Sequence, residues 1–356
     1  MSEQRTRIVG IDTARGLAVL GMFVAHLGLE RETGLLTPTG WFFVTDGRPS
    51  ALFAMLAGVG LAFMTRRAFG SGDRFEWSRQ RRRILARSAI LYALGWILTF
   101  LMTPVAVILP SYAVMFVLAL PFLRLRAPAL LGWAAAVLVI APIPVVAVRE
   151  AIGEGSQLRA MPVAGELLTG YYPALAWIAY LLVGIAVGRA DLRSAATATI
   201  LLMFGTAAAL IGYGAGAFLP SALQLDPGSL PDLLLSIEPH ADTGVEMLGN
   251  VGVAVGVVGL LLLVTRPAAV RVLLMPVTAT GAMSLTVYSL HIVYIRILGN
   301  DAVWYPESNW PLIWLIVGTF VFATGWQLTL GKGPFERAIS AMIRTERESA
   351  PVPTHP

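Results

Sequence analysis

The sequence predicts an all-α, polytopic integral membrane protein with about ten transmembrane helices, and three observations carry that expectation. Of 356 residues, 56% are apolar and 13% are charged, about half the roughly 25% charge of a soluble domain. Mean hydropathy is +0.73, and runs of about twenty mostly apolar residues recur from end to end, long enough as helix to cross ~30 Å of hydrocarbon. The 26 Lys and Arg residues cluster between alternate runs, the pattern that fixes orientation in a bilayer. A soluble enzyme is thereby excluded. The pI near 9.8 reads as membrane topology rather than nucleic-acid binding, and no nucleic-acid partner is expected. Cysteine is absent, which excludes thiolate catalysis, Cys-ligated metal and disulfide-bonded outer loops.

The apolar runs place spans at about 8 to 29, 50 to 66, 84 to 103, 105 to 123, 128 to 148, 171 to 189, 195 to 219, 244 to 264, 276 to 298 and 310 to 330. The third and fourth meet at Thr103-Pro104, where proline removes an N–H and restricts its neighbour, so a tight turn is expected there. The first run carries Asp12 and Arg15 inside its apolar stretch and no small-x-small site follows, so it is expected to stay as a helix rather than leave as a signal peptide. With the N-terminus inside, inner segments hold twenty basic residues: Arg5, Arg7, Arg66, Arg67, Arg74, Arg79, Arg81, Arg82, Arg83, Arg87, Arg124, Arg126, Arg189, Arg193, Arg266, Arg271, Lys332, Arg337, Arg344 and Arg347. Outer segments hold five: Arg31, Arg48, Arg149, Arg159 and Arg296. This asymmetry predicts both termini in the cytoplasm and an even span count; with no organelle address in the sequence, the plasma membrane is the simplest expectation. Residues 1–356 form a single membrane domain in this reading, ending in a short disordered tail over 345–356.

Ionisable groups inside a bilayer are costly, so each is a candidate functional residue. The first span holds Asp12, Arg15 and His26. Eleven residues turn an α-helix by about 1100°, roughly 20° past three full turns, so Arg15 and His26 share a face roughly 16 Å apart. Asp12, three residues before Arg15, is placed to pair with it. The plainer alternative is a buried pair that fixes packing and a histidine hydrogen-bonded near the interface. The ninth span carries Thr280, Ser284, Tyr288 and His291 at helical steps of about four, four and three. Thr280 and Ser284 suit interhelical hydrogen bonds, while an imidazole at His291 can gain or lose a proton near neutral pH or serve structurally.

His240 lies in the outer segment SIEPHADTG beside Glu238 and Asp242, so three of the four histidines fall on the outer side and His355 lies in the tail. HxxxH, HxH and HExxH spacings are absent, and no metal is expected. In DGRPSALFAMLAGVG, Asp46 or Ser50 can cap a helix, Gly58 and Gly60 allow close helix approach, and Arg48 can meet an anionic group or a loop carboxylate. The inner run SRQRRRILAR offers Arg82, Arg83 and Arg87 to cofactor phosphates or anionic lipid headgroups, although positive-inside topology alone accounts for such a run.

RIVGIDTARGLAVLGMFVAHLG resembles the first helix of the transmembrane acyltransferase superfamily, which includes bacterial membrane O-acyltransferases and heparan-alpha-glucosaminide N-acetyltransferase. The Arg-x10-His spacing of Arg15 and His26 matches the O-acyltransferase branch, and GAMSLTVYSLHIV is similar to its late helix ending in Tyr-Leu-x-His. The blocks DGRPSALFAMLAGVG, YYPALAWIAYLLVGIAVGR, GAMSLTVYSLHIV and GKGPFE stand where the YeiB-like family, domain of unknown function 418, has similar ones. Residues 7–150 thus resemble the acetyltransferase catalytic core and 151–340 the YeiB-like C-terminal region. The resemblance implies ten or eleven helices and transfer of an acyl group from acetyl-CoA or another acyl-CoA to an acceptor presented across the membrane.

On that reading His26 acts as base or acyl-accepting group, Arg15 oriented by Asp12 holds the donor, and His291 assists the base or polarises the carbonyl. Arg48, Asp46, His240, Asp242, Tyr288 and Ser284 contact the acceptor or position groups that do. Expected partners are membrane lipids, acyl-CoA and an outer glycan or lipid acceptor, with a homodimer left open. A secondary transporter or exporter of a small polar solute explains the same intramembrane charges, and a non-catalytic scaffold is the third reading.

Overall fold

The computed structural model describes residues 7–29, 37–153 and 156–345, whose regular structure is all helical, with no strand among them. Arg5, Arg31, Arg347, His355 and the tail lie outside the described residues. In chain order the helices are α1 (Val9–Leu27), α2 (Arg48–Ser71), α3 (Arg74–Thr99), α4 (Leu109–Ala119), α5 (Ala127–Ile140), α6 (Pro142–Ile152), α7 (Ala174–Gly188) and α8 (Ala195–Ala222). They continue with α9 (Leu230–Leu233), α10 (Gly244–Val264), α11 (Ala268–Leu273), α12 (Met275–Ala282), α13 (Ser284–Leu298), α14 (Asp301–Trp304), α15 (Trp310–Thr329) and α16 (Pro334–Thr345).

The starts follow local chemistry. Asp73, Ser194 and Thr243 accept the backbone N–H groups of Phe75, Thr197 and Glu246, and proline occupies the first turn of α2, α4, α5, α12 and α15, where its missing N–H costs nothing. Burial then sorts the helices. The apolar windows of α1 and α10 are 61% buried, whereas those of α8 and α15 are 17% buried, so the former pack in the interior and the latter present apolar surface to the surroundings. Every residue from Ala176 to Gly188 of α7 is buried. A helix of 15 residues is roughly 22 Å long, short for a bilayer, but α7 is enclosed by protein on all sides.

Of the ten expected spans, six are long and apolar enough to cross a membrane: α1, the stretch Phe42–Ser71 containing α2, the α5–α6 pair, α8, α10 and α15. The others depart from that criterion for separate reasons. α3 begins at Arg74 and carries the arginine run in its first half; α4 and α7 are short; and the ninth span is two helices, α12 and α13, meeting at 89°. The expected tight turn at Thr103-Pro104 is an irregular stretch from 100 to 108, so α4 starts four residues later than anticipated.

The break in the ninth span corrects the expectation of one straight polar stripe. Gly281 of α12 is pressed against α1: a Cβ there would sit 1.7 Å from the Asp12 carbonyl oxygen, and one on Gly16 would sit 2.0 Å from that of Val277. The Thr13 and Thr278 hydroxyls hydrogen-bond at 2.8 Å across the same crossing. Holding α12 on α1 turns the chain at Met283 (φ −127°, ψ 38°), leaving the first N–H groups of α13 without intrahelical partners. Glu336 of α16 satisfies them, accepting from Leu285 N at 2.9 Å, Thr286 N at 3.2 Å and Thr286 Oγ1 at 2.6 Å. Thr280 therefore stays in the α1 contact, while Ser284, Tyr288 and His291 follow a new axis.

Candidate active site

Two cavities lie along α1, one beside Arg15 at its middle and one beside His26 at its C-terminal end, called inner and outer after the sides that the charge distribution predicts. The inner one, of about 330 Å³, is lined by Arg15, Phe53, Gly60, Arg87, Tyr112 and Ser284, among others, with Glu336 at its edge. Arg15 pairs with Asp12 at 3.0 Å, as the i, i+3 spacing anticipates, and its guanidinium lies 3.7 Å from where a Cβ on Gly60 would stand. Arg87 lies within coulombic reach of both Arg15 and Glu336. Next to this cavity is a larger basic vestibule of about 640 Å³, lined by Arg74, Trp77, Gln80, Arg81 and Arg124. Adjacent residues line one and the other: Met64 and Thr65 on α2, Phe116 and Val117 on α4. The Arg124 guanidinium stands over the Trp77 ring at 5.3 Å.

The outer cavity, of about 360 Å³, is lined by His26, Asp46, Ser50, Tyr171, Tyr172 and His240, with Pro104 to Ala106 from the irregular stretch and Trp304. His26 and His291 stack behind it, ring centroids 5.4 Å apart and planes 6° from parallel. Phe23 and Tyr288 close the pair, at 5.2 and 5.0 Å from the His291 ring. His291 is fully buried, its Nδ1 bonded to the Tyr288 carbonyl oxygen. A carbonyl only accepts, so Nδ1 carries the hydrogen and Nε2 is left as a lone pair. That Nε2 and Nδ1 of His26 are both buried without a hydrogen-bond partner among the described residues.

An aromatic layer separates the two cavities. Phe53 stacks on Tyr112 at 5.7 Å and on Tyr288 at 6.3 Å, and the Tyr288 hydroxyl accepts the Ile108 N–H at 3.2 Å. Tyr288 thus touches the wall of the inner cavity with one side of its surroundings and His291 with the other.

His240 and Asp242 are held by a taut loop. Both have positive φ, 62° and 56°, a region that His and Asp tolerate better than most residues. The His240 ring stacks on Trp177 at 6.0 Å and meets Tyr171 at 4.3 Å. Burial, helped by Arg149 and His26, pushes its pKa down to about 3, so it is neutral at physiological pH. Asp242 is fully buried behind it, paired with Arg149 at 2.6 Å and accepting Trp177 Nε1–H at 2.5 Å; burial raises its pKa against both donors. Arg149 also donates to the His240 and Gly170 carbonyls. Asp242 therefore fixes the loop that carries His240 and is not itself among the residues lining the outer cavity.

Other expectations are redistributed. Arg48 does not line the outer cavity: it donates to the Tyr213 hydroxyl and the Phe43 carbonyl, each at 3.0 Å. Arg82 and Arg83 line neither the inner cavity nor the vestibule; of the α3 arginines, Arg74 and Arg81 line the vestibule and Arg87 the inner cavity. Ser284 belongs to the inner cavity with Arg15, on the far side of the aromatic layer from His26. Not among the expected site residues is a buried network in which Tyr213 donates to Asn250 at 2.6 Å and Asn250 donates to Glu246. Its signals were a Thr-x-x-Glu capping pattern at Thr243 and two polar residues in an otherwise aliphatic span. Arg149 gave no such signal, since it stands in the last turn of α6, far in sequence from Asp242. Among the described residues no group of three His, Asp or Glu is disposed to hold a metal ion.

Comparison of the chain with curated proteins and with solved structures finds no match in either. Residues 7–215 match the family profile described as heparan-alpha-glucosaminide N-acetyltransferase, catalytic. The matched region holds Asp12, Arg15, His26, the arginines of the vestibule, Phe53 and Tyr112; Tyr288, His240, His291 and Glu336 lie beyond it. With the match spanning more than half its length, this multi-pass membrane chain belongs to the heparan-alpha-glucosaminide N-acetyltransferase catalytic-domain family.

Proposed function

We propose that the protein is a membrane acetyltransferase that takes an acyl group, most simply acetyl, from acyl-CoA on the inner side. It passes that group to a hydroxyl or amine of an envelope glycan, lipid or small molecule held in the outer cavity. The observation that carries this reading is the arrangement along α1. Arg15 stands in a basic inner cavity and His26 at an outer one, with a single aromatic layer between them. The nucleotide end of the donor would meet Arg74, Arg81 and Arg124 in the vestibule, with Trp77 offering a stacking face, and the pantetheine arm would run past Arg87 and Arg15. Guanidinium forks suit phosphate.

In the transfer itself, the acceptor O–H or N–H gives its proton to His26 as its heteroatom bonds to the thioester carbonyl carbon. The C–S bond then breaks and the proton passes to the leaving sulfur, releasing free CoA thiol. His291, whose ring stacks on that of His26, holds the base in place; its Nε2 is a lone pair and so a poor donor to the developing oxyanion. His240, neutral and flanked by tyrosines, offers a hydrogen bond to the acceptor, with Asp46 across the cavity.

The test uses the absence of cysteine. A thiol-reactive dye reports released CoA with no background from the chain. Purified protein in liposomes, supplied with acetyl-CoA and an envelope extract as acceptor, should release thiol and acetylate the extract in equal amounts. Binding of acetyl-CoA without turnover in any extract would refute the reading. A secondary transporter draws support from the α12–α13 break, since discontinuous helices line many transporter sites; solute flux through the same liposomes without acyl transfer would favour it.

A further inference from the structure

A separate cavity of about 310 Å³ lies where the start of α1, the α7–α8 turn and the end of α10 meet α11. Arg7, Arg193, Arg266 and Arg271 line it, above a floor that includes Leu192 and Leu262, and none of its lining residues belongs to the vestibule or to the inner or outer cavity. All four arginines come from segments that the charge distribution assigns to the inner side.

Two of the guanidinia are held in place by backbone. Arg266 donates to the Arg193 carbonyl at 2.7 Å, and Arg271 donates to the Arg266 carbonyl at 2.5 Å and to Thr265 at 3.4 Å. Carbonyl partners fix geometry without cancelling charge. Among the described residues no acidic side chain lines the cavity; Asp191, in the same turn, accepts the Arg193 backbone N–H at 3.1 Å. Four like charges gathered around one concavity call for an anion with several acceptor oxygens, and phosphate oxygens match the guanidinium fork. Beside the cavity, α11 exposes Val272 and Leu273 at 73% and 78%, and α8 exposes Ile200, Met203 and Phe204. Apolar surface adjoining a basic concavity is the pattern of a site for an amphiphile.

We propose that this cavity binds a phosphate group, either the headgroup phosphate of an anionic lipid or free phosphate, with the adjoining apolar surface favouring the lipid. The inference is independent of acyl transfer. Its test is lipid retention by the purified full chain in nanodiscs of phosphatidylglycerol or of phosphatidylcholine, read by mass spectrometry after partial delipidation. In parallel, thermal stability is measured with and without inorganic phosphate. With about 1 kcal/mol per arginine at an anionic surface, Arg7→Gln should weaken phosphatidylglycerol retention about fivefold and the Arg266→Gln, Arg271→Gln double variant about thirtyfold. Arg7 precedes α1 and is exposed, so Arg7→Gln decides the matter if the double variant does not fold. Stabilisation by inorganic phosphate that the variants lose, without phosphatidylglycerol preference, assigns the site to free phosphate. Equal phosphatidylglycerol retention by wild type and Arg7→Gln, with no phosphate effect, overturns the proposal.

Discussion

The His26 and His291 rings stack in parallel at 5.4 Å, joining the family-matched first half of the chain to a helix that lies beyond the match. Their partner is Tyr288, whose carbonyl sets the His291 tautomer and whose ring forms part of the layer over the inner cavity. In the proposed function, proton chemistry at the outer cavity and donor binding at the inner one would therefore depend on the same short helix, α13.

The arginines divide into those that line the vestibule and inner cavity, the proposed donor path, and those that do not. Arg81→Gln and Arg87→Gln should each raise the acetyl-CoA KM by about five- to tenfold with kcat little changed, the signature of lost uniform binding. Arg82→Gln and Arg83→Gln should leave KM within about twofold. Initial rates across a range of acetyl-CoA concentrations check the contrast.

Gly281 has no room for a side chain. Even Gly281→Ala places a Cβ 1.7 Å from a backbone oxygen of α1, which cannot yield without moving the helix. Overpacking of this kind costs about 1–3 kcal/mol or more, so the melting temperature in detergent should drop by several degrees.

Glu336 accepts three hydrogen bonds at the start of α13. Glu336→Ala leaves buried donors unsatisfied, at about 1–3 kcal/mol each, and loosens the helix that carries His291. A fall in both thermal stability and kcat is expected, with substantial rescue by Glu336→Gln, which keeps an acceptor oxygen. Equal defects in the two variants would contradict the capping role.

His240 makes stability depend on pH in a definite sense. Its folded pKa, pushed down to about 3 by burial, lies below the unfolded value of about 6.5, so the unfolded chain binds the extra proton in that window. The contribution is complete above pH 6.5 and is lost as pH falls toward 3. Asp242, with its pKa raised by burial, acts in the opposite direction over part of the window. The difference between wild type and His240→Gln in urea denaturation isolates the histidine, and it should shrink as pH falls from 7 to 5.

Much of the helical layout was legible because long apolar runs have few alternatives: α10 is found at the expected residues. The Asp12–Arg15 pair followed from helical spacing alone. The break at Met283 did not, since Thr280, Ser284, Tyr288 and His291 fit an unbroken helix and the cause lies in the contact of Gly281 with α1. Arg48 and Arg149 show the same limit from the other side. Each was read as an outer-loop cation, yet the partners that decide its role, Tyr213 and Asp242, are brought to it by packing. The span count was illegible where burial by neighbours, as around α7, replaces lipid as the reason for an apolar sequence.

The most direct test of the account is acceptor-dependent release of CoA thiol from acetyl-CoA by liposomes carrying wild type or His26→Gln, with acetyl-CoA binding measured on the same preparations. Loss of a general base should lower kcat by about 10²-fold or more while donor affinity, set by the inner arginines, is unchanged. A folded His26→Gln protein that transfers acetyl at the wild-type rate would contradict the assignment of His26, and with it the mechanism built on the stacked pair.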